Sequence, residues 1–464
     1  MLPSAAIHRS GWQDLFVARE LDYVPYGVDR YFMLVVKALA ALMGGLAIAL
    51  GPVAPLILES QQLSPPEYGR IVGGVGIAGV IVGLTAGQLG DRFSRVRVLL
   101  WGMLPALGFH FLMAFMPNGQ PSLFALLYLG LGLTEAWAIV TVSALLRDFS
   151  PRTGRALAVG LVTVGTIGAN WASTFLAGEF LNQLGTWQRM FLLYGVISLA
   201  IWVLLVLFAR ETSPAIRAQV VHSMEERPAV EQRAAELERS GVKVRGFWSF
   251  ITADWRLWAL GLAQGLFLFG YTAFVAYGPL FTVQAFHQPP QEASLITSSI
   301  YASVIVFLLI SGLVCDRLRL RKLPAVVFSL LTGLAYIGLG YTVGLQLTTE
   351  QIIVAYVIVG AIAATMWSPT NALFSETAED IAATRQTTAF AGQRVIYSII
   401  TQVWVFIAPS LLADHGWQLV WTICGIGALA AAPVIAFCRG SWGPFATREA
   451  RPAPVPEVSR PALA

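Results

Sequence analysis

Charge is what this chain lacks. Only 12% of its 464 residues are charged, where a soluble domain carries about a quarter. Lysine is rarest: Lys37, Lys243 and Lys322 are the only lysines among 30 lysines and arginines. The three cysteines, Cys315, Cys424 and Cys438, lie in or beside apolar runs, which excludes a disulfide framework and metal-ligand spacing. No phosphate loop, zinc spacing or catalytic triad pattern is present, so neither a cofactor nor enzyme chemistry is expected. The first thirty residues hold no compact apolar core with a small-residue cleavage site, so no removed signal peptide is expected. The net charge of +4 is modest and gathered in a few loops, which gives nucleic-acid partners no support.

Apolar surface is abundant instead, at 56% hydrophobic residues with a mean hydropathy of +0.67. A spanning helix needs about 20 mainly apolar residues. Twelve such segments are predicted, at 32–57, 68–89, 98–116, 123–146, 156–178, 189–209, 257–282, 293–314, 324–344, 351–373, 387–411 and 418–438. Several are rich in glycine and alanine, as closely packed membrane helices are. The expected fold is an all-α membrane protein with twelve transmembrane helices in two pseudo-symmetric six-helix bundles. The expected organisation is an N-terminal segment over 1–31, a bundle over 32–209, a charged linker over 210–256, a second bundle over 257–438 and a disordered tail over 439–464. Within the linker, Glu225–Arg239 alternates acid and base without an apolar stripe, which reads as a solvated helical surface.

Basic residues sort by loop. One set of loops carries Arg92, Arg95 and Arg97, then Arg147, Arg152 and Arg155, the linker, Arg317 to Lys322, and Arg385. The alternating loops, 58–67, 117–122, 179–188, 284–292, 344–350 and 412–417, hold none, with Arg70 and Arg189 at their margins. The positive-inside rule then places both termini and the linker in the cytoplasm of a multi-pass protein, with a bacterial inner membrane the expected location.

One motif occurs twice, 225 residues apart: Gly87-Gln-Leu-Gly-Asp91-Arg92-Phe-Ser-Arg95 and Gly312-Leu-Val-Cys-Asp316-Arg317. Each glycine sits four residues before an Asp-Arg pair at the end of an apolar run. Gly132 and Gly360 follow at an offset of 228, and Gly160 and Gly392 at 232, a slow drift that fits two related halves with small loop insertions. Parallel repeats of this kind place a substrate site at their interface near the bilayer midplane.

The doubled motif resembles that of the major facilitator superfamily, whose loop between helices 2 and 3 reads Gly-x-Leu-Ala-Asp-Arg-x-Gly-Arg-Lys. Ser94 replaces its second glycine and Val96 its lysine. The resemblance covers nearly the whole chain and implies a secondary transporter working by alternating access. It further implies that Gly87, Asp91, Arg92 and Arg95, with Gly312, Asp316 and Arg317, form a conformational latch that does not touch substrate. Within that superfamily the segment Tyr128-Leu-Gly-Leu-Gly132-Leu-Thr-Glu135-Ala136 is similar to the fourth helix of the anion:cation symporters. Met190-Phe-Leu-Leu-Tyr194-Gly195 and Glu211-Thr-Ser-Pro214 are similar to the same branch. Tyr128 stands where that branch carries an arginine, and Gly44-Gly45 where it carries Arg-x-Asn, so its anion clamp does not transfer. Glu135 does match, in the branch's proton-coupling position.

Three ionisable side chains lie inside predicted spans. Each costs ~2.5–3.5 kcal/mol or more near a helix centre, so such groups are usually functional. Glu135, near the middle of span four, is read as the proton-coupling group, with a permanent structural ion pair as the alternative. Lys37 is read as a contact for an anionic substrate or a partner of Glu135, or as a lysine snorkelling to the interface. Arg394, beside Gln393 in span eleven, is read as a bidentate anion contact, or as a partner of Asp380 or Glu376. Asn170, Tyr271 and Trp367 are candidate lining residues, with His110, Gln264 and Asn371 weaker ones. The first reading is proton-coupled uptake of a small organic anion, a carboxylate or sugar acid, by a monomer embedded in lipid. Proton-driven efflux of drugs or metabolites is the second, although Gly165-Thr-Ile-Gly168-Ala-Asn170 lacks the proline and paired glycines of drug antiporters. A sensor that moves nothing is the third.

Overall fold

The computed structural model describes residues 19–21, 23, 27–92, 94–148, 155–213, 255–318, 320–382, 386–438 and 442–443. The first half runs as α1 (Gly27–Ala47), α2 (Ala54–Gln61), α3 (Pro65–Arg92), α4 (Arg95–Ala114), α5 (Pro121–Asp148), α6 (Arg155–Leu184) and α7 (Trp187–Phe208). The second half runs as α8 (Trp255–Phe267), α9 (Phe269–Phe286), α10 (Pro290–Leu318), α11 (Lys322–Tyr341), α12 (Thr349–Ala382) and α13 (Gln386–Phe437). Two three-residue strands, β1 (Arg19–Leu21) and β2 (Arg210–Thr212), pair in parallel. The expected linker helix Glu225–Arg239 and the tail beyond 443 lie outside the described residues.

Eight helical runs among the described residues are long and apolar enough to cross a membrane. α13 crosses twice. Its 52 residues would extend ~80 Å if straight, against a hydrocarbon core of ~30 Å. The chain reverses at Gly416, with φ 76° and ψ 177°, a region open essentially to glycine alone. The two passes match the spans expected over 387–411 and 418–438.

Span one departs from its expected continuous 32–57. It starts earlier, at Gly27, and breaks after Ala47 into a single 3-10 turn at Gly51–Val53 before α2 resumes. Pro52 and Pro55 have no N–H to give the preceding turn, so the α ladder cannot continue through them. Span two begins at Ser64-Pro65-Pro66-Glu67. The Ser64 N–H and hydroxyl donate to Glu67 Oε2 at 2.9 and 2.7 Å, a reciprocal cap that also holds the Glu67 carboxyl below the ordinary carboxylate range.

Within the first bundle α5 packs on α3 and α4, and α1 on α6 and α7. In the second, α10 packs on α12, and α13 on α8 and α11. Small hydroxyls stitch these pairs, as Ser303 Oγ donates to the Val357 carbonyl (2.7 Å) and Ser311 Oγ to that of Thr365 (2.8 Å). The two ends of the molecule differ. At the linker face, β2 follows α7 and Glu211 is fully buried, its Oε2 accepting from the Arg95 N–H at 3.0 Å. That N–H opens α4, where a helix has unmet donors. At the opposite face, Gly119 N–H donates to the Ser60 carbonyl (2.9 Å) and Trp187 Nε1 to Ser60 Oγ (2.8 Å).

Replacing Gly416 with alanine forces a Cβ into that glycine-only conformation. The expected cost is about 1–3 kcal/mol, seen as a lower melting temperature of the detergent-solubilised protein.

Candidate functional site

The two bundles meet along two helix pairs, α3 with α13 and α6 with α10. Glycines set the first. A Cβ on Gly73 would stand 2.6 Å from the Phe406 backbone nitrogen, Gly69 abuts Pro409 and Gly76 abuts the Gln402 side chain. The second is similar: a Cβ on Gly178 would stand 2.7 Å from Leu295. Asn182 N–H donates to Gln291 Oε1 (2.9 Å), and Ser294 Oγ donates to the Pro52 carbonyl (3.0 Å). These contacts lie toward the face opposite the linker.

Deeper in the membrane two expected lining residues meet across the bundles: Asn170 Nδ2 of α6 donates to Tyr271 Oη of α9 at 2.9 Å. The Tyr271 ring stands edge-on to Tyr301 of α10, with centroids 6.3 Å apart. On the second bundle, buried Gln264 approaches Asn371 Oδ1 (3.4 Å), and Asn371 Nδ2 donates to the Trp367 carbonyl (2.9 Å). Trp367 meets Tyr397 of α13 edge-on at 6.5 Å. Asn170, Tyr271, Trp367, Asn371 and Tyr397 are all half-buried. Asn170 and Tyr271 thus meet between the bundles, while Gln264, Asn371, Trp367 and Tyr397 form a separate polar and aromatic group within the second bundle; groups of both kinds offer ligands hydrogen bonds and stacking.

Glu135 is buried on α5. It lies two helical turns from Tyr128 on the same stripe, close enough for its charge to be felt at the Tyr128 hydroxyl. Tyr128 is itself buried and stacks on Phe124 one turn before it. Lys37 is buried as well. It is 4% exposed and lines a small cavity with Val96 and Leu99 of α4, Val142 of α5, Leu205 of α7 and Arg210. That placement is inside the first bundle, at its linker-face end.

His110 also sits inside the first bundle. Its imidazole lies between the carbonyls of Ala47 and Phe191, 2.7 Å from each, and stacks on the Phe191 ring at 4.6 Å. Gly195 makes this possible, because a Cβ there would stand 2.8 Å from the ring. The histidine therefore pins the end of α1, where the helix breaks, to α4 and α7. Of the expected latch, Gly312 has room for a Cβ, its nearest neighbour Ser368 Oγ being 3.6 Å away, and Arg317 is exposed. The side chains of Gly87, Asp91, Arg92, Asp316, Gln393 and Arg394 lie outside the described ones. The expectations resting on them stay with the sequence.

The glycine contacts and the tyrosines around them carry no charge, so buried charge does not point to them. Gly69 and Gly73 do carry the four-residue spacing of closely packed membrane helices, and that spacing was the available signal.

The sequence profile of the Major Facilitator Superfamily matches residues 36–384 and 260–462. The chain belongs to the major facilitator superfamily, a family of multi-pass membrane transporters. Among curated relatives, it is 24% identical over 318 residues to a probable chloroplastic anion transporter 3 of Oryza sativa subsp. japonica, covering 64% of this chain and 61% of that one. It is 29% identical over 190 residues to a gallate transporter of Pseudomonas putida, covering 40% of this chain and 41% of that one. The chain thus spans less than two thirds of the length of these relatives. Among solved structures, a D-xylose-proton symporter superposes with a TM-score of 0.67 at 18% identity, covering 88% of this chain and 98% of that one. The xylose transporter of E. coli in an inward-open conformation gives 0.66 at 16% identity, covering 89% and 96%. Likeness at this identity establishes the twelve-helix fold.

The Asn170–Tyr271 bond is open to a double-mutant cycle. Asn170→Ala and Tyr271→Phe are expected to be non-additive by ~0.5–1.5 kcal/mol in unfolding free energy, the usual net worth of one hydrogen bond.

Proposed function

We propose that this protein takes up a small organic anion together with a proton, by rocking its two bundles about the site between them. Glu135 carries the reading. Glu135 is a carboxylate buried in mid-span of α5, and the proton affinity of such a group depends on whether water reaches it. Rocking that alternately opens the two faces would change its solvation, so the group takes up a proton on one side and gives it up on the other.

The anion is a carboxylate. Arg394 stands one turn before Tyr397 on α13 and is assigned to grip it through two parallel hydrogen bonds. Asn170, Tyr271, Trp367 and Gln393 are assigned to the rest of the ligand. The rings of Tyr271, Trp367 and Tyr397 together with the carboxamides of Asn170, Gln264 and Asn371 suit a flat, hydroxylated carboxylate better than a fully aliphatic one. Similarity to proteins named as a gallate transporter and a probable anion transporter supports the same class. Lys37, enclosed by the first bundle, is assigned to hold α1 against α4 and α7 rather than to touch the anion. The doubled Gly-x-x-x-Asp-Arg motif is assigned to latch the linker face, which we place in the cytoplasm together with both termini, and the protein works as a monomer.

Uptake into liposomes tests this. With the outside one pH unit more acidic, one-to-one coupling concentrates gallate about tenfold inside, the ratio that ~1.4 kcal/mol sustains. Glu135→Gln is expected to abolish accumulation while sparing exchange of labelled for unlabelled gallate. A Glu135→Gln protein that still concentrates the anion overturns the assignment of the proton site.

A further inference from the structure

Tyr68, in the first turn of α3, is fully buried, and its hydroxyl has no hydrogen-bond partner. It lies at the contact between the bundles. Its ring meets Tyr277 of α9 edge-on at 6.1 Å, and its hydroxyl is electrostatically close to those of Tyr128 and Tyr277. Neither is bonded to it: Tyr277 Oη already donates to the Val405 carbonyl at 2.8 Å. The next residue, Gly69, abuts Pro409 and leaves only 2.9 Å between a hypothetical Cβ and Tyr277 Oη, so α3 is held too close for the Tyr68 ring to swing elsewhere.

A buried hydroxyl without a partner costs the state that buries it. Where that cost acts depends on where the group lies. Ser198 Oγ and Trp421 Nε1 are also buried without a partner, but each is enclosed by helices of a single bundle. Their cost is the same whichever way the bundles lean. The Tyr68 ring lies against Tyr277 of α9 in the other bundle, and its neighbour Gly69 abuts Pro409 of α13, so separating the bundles at the face opposite the linker uncovers it to water.

We infer that Tyr68 is a built-in bias against the closed state of that face: its unmet hydroxyl keeps the contact between bundles weak enough to open. The glycine-lined approach of α3 to α13 and of α6 to α10 favours closure. One polar atom, placed where only closure buries it, opposes it. The inference rests on the rocking motion proposed above, but not on the identity of the substrate or of the proton site.

Spin labels at Ser122, in the first turn of α5, and Gln346, between α11 and α12, are exposed and report the distance between the bundles at this face. In the full-length protein, Tyr68→Phe is expected to raise the ratio of short to long distances about tenfold, equivalent to ~1.4 kcal/mol. Tyr194→Phe serves as the control. It removes a buried hydroxyl that donates to the Ser173 carbonyl within the first bundle, and is expected to leave the ratio unchanged. A wild type that interconverts while Tyr68→Phe leaves the ratio unmoved, or shifts it toward long distances, overturns the inference alone. A wild type with one fixed distance at every pH and anion concentration overturns the rocking motion and the inference with it.

Discussion

Helices in a bilayer gain little by hiding apolar surface from one another, because lipid tails are as apolar as leucine. They hold together where backbones come close enough for dense contact and for small hydroxyls to reach a neighbouring carbonyl. That constraint shapes this protein throughout. It explains why glycines lie where α3 meets α13, and why serines rather than charges stitch α10 to α12. It also explains how His110 can bridge three helices, since Gly195 yields the space its ring occupies.

The same constraint separates what could be read from the sequence from what could not. Twelve spans, their pairing into two halves and the sorting of arginine by loop are properties of single segments, and composition reports them directly. The break after Ala47 was also within reach, since Pro52 and Pro55 stand in the expected helix; the hydropathy of the run concealed it. The partners of Gly69, Gly73 and Gly178 were not legible. A glycine announces that something approaches, but not what does, and the approaching atoms come from a segment hundreds of residues away.

Buried charge, read from the sequence, does not report direction. Glu135 and Lys37 both interrupt apolar runs, and the sequence treats them alike. The fold encloses Lys37 in the first bundle, where it lines a cavity with residues of α4, α5 and α7. Asn170 and Tyr271, two uncharged residues, are the pair that joins the halves at mid-membrane. Tyr128 itself stands where the resembled branch carries an arginine, and it is buried against Phe124.

The two short strands bear on how the chain is made. β1 precedes the first span and β2 follows the sixth, and the two run in parallel register from Arg19 opposite Arg210 to Leu21 opposite Thr212. No part of the second bundle contributes to this ladder. A ribosome delivering the chain must therefore insert all six spans before the ladder can form, and once it forms, the first half is a closed loop with its two ends tied together. Glu211 then goes under cover beside the start of α4. The ladder thus needs only the first half of the chain: it is available as soon as that half is complete and owes nothing to the second.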